Sequence, residues 1–256
     1  MGILDRFCLD GRVALVTGAG QGIGQGFAVA LAEAGADVAV VDRNAITAAE
    51  TAEQIRRLGR RAIDIVADVS RPDEVQRMID TALGAFDQLD VAVNNAGGGV
   101  FHVAEEYTSD EWDDAIRQNL SSVFYCAEVE ARAMFRRGRG SIINTGSISG
   151  VIVNRGAYHA AYNTAKAGVI HMTRALAAEW APHGVRLNAI SPGNILTPAA
   201  MRPDAVRFHK VWADMNPMGR LGEIGDLQGA VVFLAADVSA FLTGHNLVID
   251  GGYTLW

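Results

Sequence analysis

Cysteine is nearly missing from this 256-residue chain: only Cys8 and Cys126 occur. Neither sits in metal-ligand spacing or in a disulfide framework, so a reducing cytoplasm is the expected setting. Prolines number only six, which leaves room for long uninterrupted helices and strands. An excess of positive charge is also absent, since 22 Lys and Arg face 29 Asp and Glu for a net charge of -7. Such a field repels phosphate backbones and anionic lipid, so neither nucleic acid nor a membrane is an expected partner. No apolar run approaches the roughly 18 residues that announce a bilayer span. The start, Met1-Gly2-Ile3-Leu4-Asp5-Arg6-Phe7, lacks the apolar stretch and small-residue cleavage site of a secretory signal. The six histidines, 102, 159, 171, 183, 209 and 245, show no spacing of the H-E-x-x-H kind, and no metal site is expected.

What is present is a chain that is 50% hydrophobic, enough to bury one large core, and a single domain over 1–256 is the economical reading. Short β-branched runs alternate with longer helical patterns. A strand over residues 12–17, a helix over 22–34 and a strand over 36–42 make a βαβ unit. The alternation continues through strands at 62–67, 89–94, 141–145, 185–190 and 246–249. About seven strands with helices between them predict an α/β fold, a Rossmann-type doubly wound parallel sheet with helices on both faces. Ser70 before Pro72-Asp73-Glu74, and Thr108 three residues before Glu111, mark the starts of two crossover helices. Residues 197–222 interrupt the alternation and carry Pro198, Pro203 and Pro217, which reads as a substrate loop or lid.

Thr17-Gly18-Ala19-Gly20-Gln21-Gly22-Ile23-Gly24 falls where the first strand turns into the first helix. Glycines there admit close backbone approach, and exposed amides at the helix start favour a diphosphate, so Gly18, Gln21, Gly22, Ile23 and Gly24 are candidate dinucleotide contacts. The spacing is wider than G-x-G-x-x-G. Asp42 ends the second strand, 24 residues after Gly18. Its carboxylate can accept bonds from both adenosine ribose hydroxyls and would repel a 2′-phosphate, so the residues favour NAD over NADP. Arg43 could hold such a phosphate, but beside an intact Asp42 it is read as packing over the adenine. Asp68-Val69 after the third strand either caps its own loop or meets the adenine amino group. After the fourth strand, Asn94-Asn95-Ala96-Gly97 offers two amides to lock neighbouring strands and small residues to leave room for a cofactor.

Tyr162-Asn163-Thr164-Ala165-Lys166 lies in a helical pattern over 158–181, so Tyr162 and Lys166 share one helix face. A phenol is a poor base near neutrality, whereas a nearby ammonium favours the phenolate. Ile142-Ile143-Asn144-Thr145-Gly146-Ser147 is a buried-strand pattern that ends in a hydroxyl. Asn119 stands inside a long helix, where an amide has low propensity. Tyr158 has no lysine four residues on and reads as a pocket-wall aromatic. His159 is a candidate substrate neighbour.

Together with the glycine turn, Asp42 and Asn94 to Gly97, these residues resemble the short-chain dehydrogenase/reductase family over essentially the whole chain. The resemblance implies that Tyr162 is the acid/base, that Lys166 lowers its pKa and binds the nicotinamide ribose, that Ser147 orients the reacting oxygen and that Asn119 holds a proton-relay water. It also implies that Pro192-Gly193-Asn194-Ile195-Leu196-Thr197 receives the nicotinamide amide, with Pro192, Gly193, Ile195 and Thr197 as contacts. The full set argues against a scaffold that keeps the fold without the chemistry. Ser147 and Tyr162 are 15 residues apart, and the stretch between them, with Pro217-Met218-Gly219-Arg220 and the Trp256 ending, is similar to bacterial polyol (galactitol-type) dehydrogenases. That likeness puts Ser149 and Asn154 in the pocket beside Ser147, His159 and Tyr162. The expectation is NAD-dependent oxidation of a secondary alcohol of a polyol or sugar derivative. A 3-oxoacyl-carrier-protein reductase is the alternative, and Asp42 and Gln21 count against it. The apolar tail from 247 to Trp256 implies, with the family, a homotetramer.

Overall fold

The computed structural model describes residues 2–99, 101–155 and 157–256. Seven strands form one sheet in the order β3-β2-β1-β4-β5-β6-β7. They are β1 Val13–Thr17, β2 Asp37–Asp42, β3 Ala62–Val66, β4 Val91–Asn94, β5 Gly140–Thr145, β6 Val185–Pro192 and β7 Asn246–Ile249. Every neighbouring pair is parallel, so the crossovers must run over the faces and both faces are buried. All five residues of β1 are buried. Alternate positions of that strand serve opposite layers, as the pleat requires. Ala14 and Val16 join Phe27, Leu31, Leu227 and Val231 on one face, whereas Val13 and Leu15 join Met78, Ile79, Ala127 and Met134 on the other.

The helices of the two layers are α1 Gly22–Glu33, α2 Ala45–Arg57, α3 Pro72–Phe86, α4 Ser109–Ile116, α5 Ser122–Phe135, α6 Ala160–Trp180 and α9 Gly225–Ala235, with α7 Pro203–Val206 and α8 His209–Met215 in the segment between β6 and α9. The strand order reverses between β1 and β4. Beyond the carboxyl ends of those two strands lies the crevice where open α/β sheets bind ligands.

Three local expectations change. Ser70 does not cap α3: the cap position is Arg71, without a side-chain bond, while the Ser70 N–H goes to Asp68 Oδ1 at 2.9 Å. At α4, by contrast, Thr108 and Glu111 form the full capping box. Asn119 is not in a regular α-helix but in a π-helical turn, Arg117–Ser121, between α4 and α5; such turns widen the helix and concentrate at functional sites. Residues 197–222 are not all loop, since α7 and α8 stand within them. The segment is pinned at its base by a bridge between Ile195 and Gly222, and Trp212 of α8 packs with Ile148, Ala157 and Tyr253. No helix among the described residues is long and apolar enough to cross a membrane.

Candidate active site

The glycine turn follows β1 directly. Gly18 has φ +62°, and a Cβ there would lie 2.9 Å from the Ala96 Cα. At Gly24, in the first turn of α1, a Cβ would collide with the Gly18 carbonyl oxygen and the Asn95 amide. The loop therefore closes on itself only without side chains, and it leaves the first N–H groups of α1 uncapped by the Gln21 side chain. Free amides at a helix start, with no side chain in front of them, fit a diphosphate. Thr197 and Pro198 border this turn: a Cβ added at Gly22 would meet their side chains at ordinary contact distance.

The Asp42 carboxylate, at the end of β2, sits against the same turn. Its Oδ2 accepts from the Gly20 N–H at 2.9 Å and its Oδ1 from the Asn44 N–H at 2.9 Å. Arg43 beside it is exposed. Asp68 caps its own loop: Ser70 bonds hold its carboxyl below the usual range, and Val69 is half-buried. On the other side, the Asn95 Nδ2 donates to the Thr17 and Gly18 carbonyl oxygens at 3.1 and 3.3 Å, and the Asn95 and Ala96 N–H groups reach Thr17 Oγ1. The two loops that flank the switch point are thus laced together. Gly97 continues into Gly98, whose N–H donates to Asn119 Oδ1 at 2.8 Å. The Asn119 Nδ2 returns a bond to the Gly98 carbonyl oxygen and gives another to Ala115, both at 2.9 Å. The Asn119 side chain is therefore spent on bracing this floor.

Tyr162 and Lys166 lie one turn apart near the start of α6. Lys166 is 3% exposed, and its Nζ donates to the Thr145 carbonyl oxygen at 2.7 Å while standing 5.6 Å from the centroid of the Tyr162 ring. Burial pushes the amine down to about 8. Burial raises the Tyr162 phenol, and a hydrogen bond with the Ser147 side chain opposes that rise. Ser147 follows β5 in extended conformation, so strand and helix present the two hydroxyls to each other. Pro192 ends β6, Gly193 is held by the Ile249 carbonyl oxygen at 2.9 Å, Ile195 is buried, and Thr197 Oγ1 accepts from the Ala200 N–H.

Beside the Ser147–Tyr162 pair the structure brings together three more polar side chains. Asn154 Nδ2 donates to Ser149 Oγ at 2.9 Å, and Ser149 Oγ is 3.5 Å from His159 Nε2. Asn154 is 3% exposed and its Oδ1 has no partner. The His159 ring is 5.2 Å from that of Tyr162, and burial lowers its pKa to about 4, so it is neutral at physiological pH and offers one donor and one acceptor. Tyr158 does not close the pocket, because it is 58% exposed. The wall is aromatic and comes from elsewhere: Phe101 stacks on His159 at 5.3 Å and meets Phe208 and Trp212. Only the four-residue spacing of Phe208 and Trp212 hints at that wall before the chain is folded.

The family model described as Enoyl-(Acyl carrier protein) reductase matches residues 18–254. The chain is 39% identical over 251 residues to the galactitol 2-dehydrogenase (L-tagatose-forming) of Cereibacter sphaeroides, with 98% of each covered. Among solved structures it is similar to a short-chain type dehydrogenase/reductase from Mycobacterium marinum, with TM-score 0.96 and 40% identity over 99% of both chains. It is also similar to a gluconate 5-dehydrogenase from Burkholderia cenocepacia solved with NADP and tartrate, with TM-score 0.94 and 37% identity over the full length of both.

Proposed function

The chain belongs to the short-chain dehydrogenase/reductase family, and on that premise we propose that it is an NAD-dependent dehydrogenase that oxidises a secondary alcohol of a polyol or sugar derivative to the ketone. The observation that carries the substrate class is the cluster of Ser149, Asn154 and His159 around the Ser147–Tyr162 pair. A pocket whose walls hold paired hydroxyl and amide groups favours a substrate with several hydroxyls, and it penalises one that leaves those groups unpaired. The buried Asn154 Oδ1 without a partner is an acceptor for one such hydroxyl.

Bound NAD supplies the acceptor for the hydride that leaves the alcohol carbon. Ser147 and Tyr162 orient the reacting hydroxyl, and Tyr162 takes its proton. Lys166, still largely protonated at neutral pH with its pKa near 8, favours the phenolate and holds the nicotinamide ribose. Asn119 would hold a relay water through its main-chain carbonyl, because its amide is already committed. The free amides of Gly22, Ile23 and Gly24 suit the diphosphate. Asn95, Ala96 and Gly97 form the floor, and Pro192, Gly193, Ile195 and Thr197 border the nicotinamide. Preference for NAD rests on Asp42, which would bond both ribose hydroxyls and repel a 2′-phosphate; the Burkholderia relative carries NADP.

Residues 197–222 would act as the lid, since their base is pinned at Ile195 and Gly222. A homotetramer is supported by apolar surface that a monomer leaves open: Phe124 on α5 beside Leu120, and Leu255 and Trp256 at the tail, the last two more than three-quarters exposed. Free thiols at Cys8 and Cys126 support a cytoplasmic setting. The deciding experiment incubates the purified protein with NAD or NADP and a panel of C4 to C6 polyols, 1,2-diols and simple secondary alcohols, and follows nicotinamide absorbance. Turnover of 3-oxoacyl thioesters without polyol oxidation would overturn the reading.

A further inference from the structure

A buried polar chain runs beneath the site and contains an acid that the reaction does not use. Glu130, in the middle of α5, is fully buried. Asn94 Nδ2 donates to its Oε2 at 2.9 Å and to Asn144 Oδ1 at 3.1 Å. Asn144 Nδ2 donates in turn to Thr173 Oγ1 at 3.0 Å, and that hydroxyl donates to the Val169 carbonyl oxygen. The chain thereby links α5, β4, β5 and α6. It tethers the strand end that becomes the Asn95–Gly97 floor to the helix that carries Tyr162 and Lys166.

Two buried atoms of this chain have no partner, and they belong to the same hydrogen-bonded pair: Asn94 Oδ1 and Glu130 Oε1. With Glu130 ionised, both are acceptors and neither can satisfy the other. The carboxylate would then be a buried charge with one bond and no cation, which is among the most costly arrangements in a protein interior. Its surroundings offer no relief. Cys126, one turn earlier on α5, feels its charge, and burial keeps that thiol protonated. The neighbours of Glu130 along α5, Cys126, Ala127, Ala131 and Met134, belong to one apolar cluster with Val75, Met78, Ile79 and Ala82 of α3, and the strands and α6 bring to the polar chain only the amides of Asn94 and Asn144 and the Thr173 hydroxyl. A proton on Glu130 cancels the charge and also supplies the donor that Asn94 Oδ1 lacks.

We propose that Glu130 is carried as a neutral carboxylic acid whose proton is shared with Asn94 Oδ1, and that it is a positioning residue holding Asn94, and through it the Asn95–Gly97 turn, against the glycine turn. The positioning half rests on the reading of that turn as the cofactor floor. Burial agrees in direction, raising the acid from 4.5 to about 8. In the unfolded chain the carboxyl ionises near 4.5, whereas the folded protein retains its proton to about 8. Over that window the unfolded state binds fewer protons, so this group makes stability fall as pH rises, and the loss levels off above the folded value.

Glu130→Gln reproduces the neutral acid: its Nε2 can donate to Asn94 Oδ1 and its Oε1 can accept from Asn94 Nδ2, and it cannot ionise. Thermal unfolding of the full-length wild type and E130Q from about pH 5 to about pH 9 isolates the acid, because all other groups cancel in the difference. The expected Tm difference, E130Q minus wild type, grows with pH up to about 8 and then levels; a difference independent of pH overturns the proton assignment. Calorimetric NAD titration gives the second arm. Wild type should lose affinity above about pH 8 while E130Q holds it, and Glu130→Leu, which lacks the donor, should bind more weakly at every pH. Equal weakening in E130Q and E130L overturns the positioning role. A wild type that binds no NAD at any pH would sink the cofactor reading instead, and the unfolding arm would still judge the proton.

Discussion

Lys166 Nζ stands 5.6 Å from the centroid of the Tyr162 ring, fixed there by its bond to the Thr145 carbonyl oxygen and not by any acid. An ammonium whose partner is neutral keeps its field for the phenol; burial raises that phenol and the Ser147 hydrogen bond opposes the rise, and a nearby positive charge favours the phenolate in the same direction. Oxidation needs Tyr162 as phenolate, so kcat should climb with pH along a limb set by this pair. Lys166→Met keeps the bulk and deletes the charge. The limb should then move upward by about 1 to 3 pH units. A pH–rate profile of the variant checks this, and an unmoved limb would exclude the electrostatic role.

Tyr162→Phe removes the transferable proton and leaves the ring 5.2 Å from that of His159. Turnover should fall by about 10² to 10⁴-fold, the usual yield of a positioned acid or base. NAD affinity by calorimetry should be nearly unchanged, because the phenol is proposed to touch the substrate and not the diphosphate. Residual activity close to wild type would discard the mechanism.

Asp42→Ala deletes the carboxylate that faces the glycine turn. The preference for NAD over NADP in kcat/KM should narrow by about tenfold or more, since hydrogen bonds to a charged group and the repulsion of a 2′-phosphate vanish together. Steady-state kinetics with both cofactors measures the ratio. A wild-type preference for NADP would already refute the assignment.

Asn154→Ala removes both the donor to Ser149 Oγ and the unpartnered Oδ1. KM for a C4 to C6 polyol should rise by about tenfold, the range of one or two hydrogen bonds, with a smaller rise for a simple secondary alcohol. Equal rises would mean that Asn154 only shapes its own loop.

Whatever depended on local rules was readable in the sequence. The strand and helix alternation announced a parallel doubly wound sheet because a two-residue period and a 3.6-residue period leave different marks, and the capping box of Thr108 and Glu111 is complete within four residues. Tyr162 and Lys166 share a face because four residues make about one helical turn, and Asp42 was placed by the end of its strand. Tertiary structure decided the rest. Phe101, Phe208 and Trp212 form one wall with His159 only after Phe208 and Trp212 pack back onto Ile148, Ile152 and Ala157. The π turn that presents Asn119 and the pairing of Glu130 with Asn94 left no pattern in the sequence. Each depends on which atoms from distant segments meet at the carboxyl edge of the sheet or beneath it, and the cost of an unpaired buried polar group, which selects those meetings, is felt only once water has been excluded.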